Sequence, residues 1–309
     1  MTHPSDDVPE EHLLGQFIPL HYHFNMLRDE TRMRPFQDAI ALTVPEGGMV
    51  LELGGGTGVL SWFAAQKARQ VYCVERNPAL VRAARSFLAN NPHGERVNVI
   101  QADAMTYLPP EPVDVVICEM LHVGMIREKQ LAVLQSFKER YSAAFGPRLP
   151  TFIPDTTLLA IQPIEQDFSF SGYHAAVPMF EPAGPHMADR WLGEPHIYST
   201  IDYRQELPQA FQVDTVLTMQ RPGQFNALSF LTNNFLAFDL SEQRAAQWMM
   251  NQLILPLAEP LDVKAGDSVA VQFEYAAGCS LESLTESLSV TRRALAIPMR
   301  AEPLKRRAA

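Results

Sequence analysis

Four acidic residues and a run of glycines stand at ordered places in the first 120 residues. Glu52 lies near the end of the apolar run MVLEL and is followed by Gly54-Gly55-Gly56-Thr57-Gly58. Glu75 closes VYCVE, twenty-one positions beyond Gly54, Asp103 follows VIQA, and Glu119 follows VDVVIC. A glycine-rich turn between an apolar strand and a helix lets the backbone approach a ligand that any Cβ would exclude. The neighbouring charge then selects among ligands. A dinucleotide fingerprint runs G-x-G-x-x-G and seats a pyrophosphate on the helix N-terminus, whereas here the third glycine follows the second by two positions. Glu52 would repel a pyrophosphate and attract a cation, such as the ammonium and sulfonium of S-adenosylmethionine. Glu75 is placed to accept hydrogen bonds from ribose hydroxyls. Asp103 is placed to accept from an adenine amino group, to cap a helix over 104–107, or both.

These acids need strand ends to sit on, and the chain supplies them. Apolar and amphipathic runs predict a strand over 49–53, a helix over 58–68, strands over 70–74, 97–101 and 113–118, and helices over 79–90 and 129–145. Short apolar strands alternating with helices imply a parallel sheet covered on both faces, with ligands at the carboxyl ends of its strands. Ahead of it, 16–42 reads as helical, with Met26, Leu27, Met33, Phe36 and Ile40 as an irregular apolar stripe. Pro35 is expected to kink that helix or to open its second half.

Beyond Gly146-Pro147, runs such as LLAIQPI, VDTVLTMQ and SVAVQFEYAA are punctuated by Pro, Gly and Asn and read as a β barrel or sandwich. Between Gln166 and His196 lies a long excursion carrying Phe168, Phe170, Tyr173, Phe180 and Trp191; irregular segments of that length are usually functional. The expected fold is therefore α/β + β, a Rossmann-like parallel sheet with helices on both faces followed by a C-terminal β-barrel-like domain. The expected division is a flexible lead-in over 1–15, a cofactor-binding domain over 16–150, a barrel-like substrate domain over 151–295 and a basic tail over 296–309.

A chain of 309 residues with a net charge of -10 has material for two cores and is a poor candidate for binding nucleic acid. Its acidic surface suits a basic protein or a cationic small molecule. Cys73, Cys118 and Cys279 are far apart, odd in number and set among apolar residues, so they read as buried free thiols of a reducing compartment and not as a disulfide frame or a metal site. The N-terminus is polar and acidic, and no run of about eighteen apolar residues exists. The expected location is cytoplasmic, with no membrane span.

The loop after VDVVIC reads CEMLHVGMIREKQL, with Glu119 and Glu128 nine positions apart. Here the sequence resembles the protein arginine methyltransferases, whose corresponding loop carries two glutamates at that spacing. VLELGGGTGVLSWFAA resembles the family's first motif, and HFNMLRDETR, from His23 to Arg32, its H-x-x-M-L-x-D-x-x-R helix. FIPDTTLLAIQPI is similar to its entry into the barrel, and the excursion after Gln166 falls where the family inserts a dimerisation arm. The resemblance implies S-adenosylmethionine as cofactor. His23 and Arg32 would lie on its methionine part, Arg32 pairing with the carboxylate. Gly54, Gly56 and Gly58 would form the cradle, with Glu75 on the ribose and Asp103 with Ala104 beside the adenine. Glu119 and Glu128 would clamp the nucleophile, and a homodimer would be the assembly.

The departures lie on the acceptor side. The family's Y-F-x-x-Y helix reads Leu13-Leu14-Gly15-Gln16-Phe17, its Trp after the first glutamate is Met120, its Gly is His122, and Arg127 precedes the second glutamate. Its Thr-His-Trp loop falls near Trp248-Met249-Met250, without the histidine. Three readings follow: methyl transfer to a protein arginine or related guanidine or amine, transfer to a small nitrogen or oxygen nucleophile on a metabolite, or an inactive cofactor-binding scaffold.

Overall fold

The structure is a computed structural model that describes residues 18–292; the expected flexible lead-in, the Leu13–Phe17 helix and the basic tail lie outside the described residues. Two helices open it, α1 (Leu20–Arg28) and α2 (Glu30–Thr43). The break falls at Asp29 and not at Pro35. The Asp29 carboxylate accepts from the backbone N–H of Thr31 and of Arg32 and so starts a new helix. Pro35 lies inside α2 as its sixth residue, where it withholds a hydrogen bond from the Thr31 carbonyl without ending the helix. Of the expected apolar stripe, Phe36 and Ile40 are buried, whereas Leu27 on α1 is exposed. No residue of α1 is buried.

The alternation then builds β1 (Met49–Leu53), α3 (Val59–Ala65), β2 (Gln70–Glu75), α4 (Pro78–Ala89), β3 (Val97–Gln101), β4 (Val115–Cys118), α5 (Gln130–Phe145) and β5 (Thr151–Ile153). The strand order is β3-β2-β1-β4-β5, and every pair is parallel. β1 is buried along its whole length, as expected of a central strand covered on both faces. The order reverses between β1 and β4, so the crevice at their carboxyl ends lies at the switch point of the sheet. Residues 151–153, expected to open the second region, instead complete this sheet as β5; the change of character follows them.

The remainder is antiparallel. It comprises β6 (Thr156–Ile164), the short β7 (Ser169–Phe170), β8 (Tyr173–His174) and β9 (Met179–Glu181), then β10 (His196–Asp202), β11 (Ala210–Thr218), β12 (Gly223–Asp239), β13 (Arg244–Met249), β14 (Gln252–Val263), β15 (Ser268–Ala276), α6 (Leu281–Ser287) and β16 (Ser289–Arg292). One sheet runs β10-β6-β12-β14-β9 with β13 against β12, and a second runs β11-β15-β16. The long β12 shifts register at Phe225/Ala227 and Phe235/Ala237, which bends it enough to serve three neighbours. Phe36, Phe137 and Ile117 share one buried cluster with Leu159, Phe230 and Trp248, so the two regions have a common core.

The expected arm is only partly an arm. β9 pairs with β14 inside the barrel sheet, and Arg190 ties Glu181 to Gln166. The β7–β8 hairpin keeps Phe170 and Tyr173 exposed. Cys73 and Cys118 are buried free thiols as expected, but Cys279 is only half-buried, because it lies in the turn after β15. No helix among the described residues is long and apolar enough to cross a membrane.

Candidate active site

The glycine turn is held against β2. The N–H groups of Gly54 and Gly55 both donate to the Val74 carbonyl, at 3.0 and 2.8 Å. Gly54 and Gly56 have φ of +80° and +54°, in the left-handed region that glycine enters at no steric cost. Side chains crowd both. A Cβ on Gly54 would stand 3.0 Å from Met120 Cγ, and one on Gly56 3.0 Å from His23 Cε1. Before them opens a cavity of about 260 Å³, lined by His23, Arg32, Glu52, Gly54, Gly56, Glu75, Asp103, Ala104, Glu119 and Glu128. Ten of the eleven residues singled out from the sequence thus line one cavity.

Gly58 does not. It is the N-cap of α3, and a Cβ there would meet Leu88 Cδ1 at 3.1 Å, so its role is to let α3 and α4 pack closely.

The strand-end acids differ in what holds them. Glu75 accepts from the N–H of Gly56 at 2.9 Å and of Asn77 at 2.7 Å, which fixes it at the rim of the turn. Asp103 accepts from the Met105 N–H at 2.9 Å, and Arg76 lies 3.6 Å away. The expected helix over 104–107 is a pair of hydrogen-bonded turns instead. Glu52 is 2 % exposed and accepts from the Ser61 hydroxyl. Burial, the largest effect, pushes its carboxyl up to about 8, although Ser61 favours the carboxylate. At neutral pH Glu52 is therefore mostly the neutral acid in the free protein. The expectation that it presents a standing negative charge is corrected by its own desolvation.

His23 is half-buried on α1, and its Nε2 is buried without a hydrogen-bond partner. Burial lowers its pKa, so the ring is neutral near pH 7. An orphaned ring nitrogen beside glycines that admit no side chain, with Glu75 and Asp103 along the rim, is a donor and acceptor set that fits a nucleoside-type cofactor.

Arg32 and Glu119 come together through the fold. Arg32 donates to Glu119, eighty-seven positions away, and both side chains are largely buried. The Arg32 guanidinium lies 5.6 Å from the Phe36 ring centre and 5.8 Å from that of Trp248, which confines it to one position. Trp248, expected near the acceptor loop, is thus a buried wall behind Arg32. Glu128 is pushed up to about 7 by burial and, second, by the charge of Glu119. Arg127 is exposed and forms no ion pair with Glu128 among the described residues.

What positions the glutamate loop was not legible in the sequence. The Gly124 N–H donates to Thr232 Oγ1 at 2.8 Å, and Tyr275 donates to the Gly124 carbonyl at 2.8 Å. The N–H of Gly278 reaches the Met125 carbonyl, and that of Arg127 the Cys279 carbonyl, each at 2.8 Å. Met125 and Arg127 have φ of +58° and +64°, conformations that these barrel contacts hold. The Gln130 side chain bridges the Cys118 carbonyl and the Met120 N–H, at 2.8 and 2.9 Å. His122 sets its ring edge-on to Phe180 of β9, 5.6 Å between centres.

The chain is similar to known proteins in sequence and in fold. Residues 50–141 match the family described as a methyltransferase domain. An uncharacterised protein of Methanocaldococcus jannaschii is 28 % identical over 268 residues, covering 86 % of this chain and 96 % of that one. The arginine N(omega)-methyltransferase of Streptomyces achromogenes subsp. streptozoticus is 23 % identical over 278 residues, covering 82 % of this chain and 76 % of that one. Among solved structures, the Trypanosoma brucei PRMT1 enzyme-prozyme heterotetrameric complex with AdoHcy superposes with a TM-score of 0.66 at 17 % identity, over 87 % of this chain and 97 % of that chain.

Proposed function

We propose that this chain is a divergent class I methyltransferase, similar to the protein arginine methyltransferases and dependent on S-adenosylmethionine, that methylates a guanidine or amine nitrogen held by Glu119 and Glu128. The observation that carries this is the meeting of the two glutamates with the glycine turn around one cavity. His23, Arg32, Glu52, Gly54, Gly56, Glu75, Asp103 and Ala104 are the residues proposed to hold the cofactor.

When bound, the cofactor supplies an electrophilic methyl group on a sulfonium. The protein's task is to hold a nucleophile in line with it, about 3 Å away. A guanidinium is a poor nucleophile, since its pKa is near 13.8 and removing the proton first at pH 7 would cost about 9 kcal/mol. Two carboxylates avoid that step. Each interacts with the guanidinium by about 4 kcal/mol at 4 Å and an effective dielectric near 20, which draws positive charge to the held nitrogens and frees a lone pair on the third. Glu128 at about 7 is poised for this role: a cation between it and Glu119 would stabilise both charges. Arg32 is proposed to exchange Glu119 for the cofactor carboxylate, leaving Glu119 for the acceptor.

Two acceptor classes remain, and one observation favours each. The likeness to protein arginine methyltransferases favours a basic, arginine-containing protein. The substitutions Met120 and His122, with a Streptomyces relative whose name specifies arginine without a protein, favour a cationic small molecule. The test is labelled S-adenosylmethionine with a Gly-Arg-rich peptide in one reaction and free arginine in another, followed by amino-acid analysis. Methylarginine in the peptide supports the first class and methylated free arginine the second. Tight cofactor binding with transfer to neither, nor to other small amines, would sink the catalytic reading. We also propose a homodimer joined through the hairpin that exposes Phe170 and Tyr173; Tyr173→Glu should then halve the sedimenting mass.

A further inference from the structure

We propose that Gln130 is a positioning residue for methyl transfer: its side-chain amide fixes the backbone of Glu119, and its place two residues after Glu128 joins the two glutamates into one rigid clamp. The inference rests on the reading that these glutamates hold the acceptor.

The sheet does not hold Glu119. The ladder of β4 with β1 ends at Cys118, and its ladder with β5 ends at Ile117. Continued in register, the partners of Glu119 would be Gly54 and Asp155. Both are committed elsewhere: the Gly54 N–H donates to the Val74 carbonyl of β2 and the Asp155 N–H to the Phe235 carbonyl of β12, each at 3.0 Å. The residue that must aim a carboxylate therefore leaves the sheet with no strand beside it.

Gln130 supplies what a strand would. Its Nε2 donates to the Cys118 carbonyl at 2.8 Å, and its Oε1 accepts from the Met120 N–H at 2.9 Å. A residue of a parallel neighbour likewise donates to the carbonyl before its partner and accepts from the N–H after it. Those two groups belong to the rigid peptide planes on either side of the Glu119 Cα, so one amide sets both backbone torsions of Glu119. Only one orientation of the amide serves a carbonyl and an N–H together, and at 1 % exposure water does not compete for either bond. The main chain carries the other half of the clamp, because Gln130 is the first residue of α5 and Glu128 stands two residues before it. Gln130 is not among the residues lining the cavity, so its effect on the reaction passes through the glutamates. In-line transfer makes that effect large, since a displacement of about 1 Å can cost about a hundredfold in rate.

A double-mutant cycle on the full chain tests this, with kcat read from labelled S-adenosylmethionine on the acceptor that the wild type methylates and cofactor binding read by calorimetry. Gln130→Leu keeps similar bulk and removes both hydrogen bonds. The expected result is a fall in kcat of about ten- to a hundredfold, with the number of cofactor sites per chain unchanged and cofactor affinity within about threefold. In a Glu119→Gln background the same substitution should cost little more, because the group it positions is already gone. A kcat within about twofold of wild type, a parallel loss of cofactor sites, or fully additive losses in the double variant overturns the proposal. Should Gln130→Leu not fold, Gln130→Asn decides: it keeps the amide but is one methylene too short to span both groups, so the same split is expected and an unchanged kcat overturns the proposal. Undiminished transfer by Glu119→Gln alone, or no transfer by the wild type, overturns the reading of the glutamates and this inference with it.

Discussion

Two carboxyls with raised pKa values, one buried and one partly buried, make opposite demands on the free protein and the enzyme. Glu52, at about 8, and Glu128, at about 7, are both more easily protonated in the folded chain than in the unfolded one, where a carboxyl titrates near 4.5. The folded state therefore binds more protons between those values, and stability must fall as pH rises through that window. For Glu52 alone the slope is about 1.4 kcal/mol per pH unit, complete above about pH 8. The melting temperature of the free protein should be lower at pH 8.5 than at pH 6, and Glu52→Gln should flatten the difference; a rising profile would show that Glu52 is not desolvated. Glu128→Gln tests the other demand. It keeps the shape of the side chain and removes the charge proposed to hold the acceptor, so transfer should fall by two or more orders of magnitude while cofactor affinity stays within about threefold. Undiminished turnover would remove Glu128 from the proposed site.

At the scale of elements, the site is a loop pinned by a barrel. Thr232 of β12 holds the N–H and Tyr275 of β15 the carbonyl of Gly124, a residue that lies between the two glutamates in the chain. Tyr275→Phe removes two hydrogen bonds, to the Gly124 carbonyl and to the Tyr198 hydroxyl, each worth about 1 kcal/mol. Thr232→Val leaves the Gly124 N–H buried without a partner, at about 1–3 kcal/mol. Both should lower kcat more than cofactor affinity, because the cofactor side rests on other elements; a loss of cofactor binding as large as the loss of kcat would contradict the pinning role. These contacts also mark the limit of what the sequence shows. The cofactor acids were legible because each lies at or near the end of a short apolar strand, and parallel strands bring their carboxyl ends to one edge. Arg32 and Glu119 were both legible as site residues, yet not as partners of each other, since only the packing of α2 against β12 and β13 fixes Arg32 where a residue so far along the chain can meet it. Tyr275 was invisible for a related reason. Its run SVAVQFEYAA alternates as a strand and announces an inward face, but nothing local says which loop the face will meet. That Gly58 packs against Leu88 of α4 and does not line the cavity was not legible, because a glycine demanded by a neighbouring helix looks the same in sequence as one demanded by a ligand.

Across the whole molecule, the cofactor region and the barrel cannot come apart without exposing the site. Phe36 of α2 packs edge-on against Trp248 of β13 with 5.8 Å between ring centres, and Arg32 lies against both rings. Lys138 of α5 is buried with its ammonium donating to the backbone carbonyls of Tyr203 and Gln205, so a helix of the parallel sheet ends its bonding in the antiparallel region. A core shared in this way predicts one unfolding transition, with calorimetric and van't Hoff enthalpies equal, in place of two separable melts. S-adenosylmethionine at a hundred times its dissociation constant should raise that single transition by the equivalent of about 2.7 kcal/mol. Trp248→Ala strikes the junction itself. Removing a buried indole costs about 3–5 kcal/mol, and the same deletion frees Arg32 from one of the two rings that confine it. The expected outcome is a lower melting temperature together with a weakened cofactor affinity, from a residue that does not line the cofactor cavity. A variant that melts early in two steps, with cofactor bound as tightly as before, would show that the two regions fold independently and that Arg32 is placed by α2 alone.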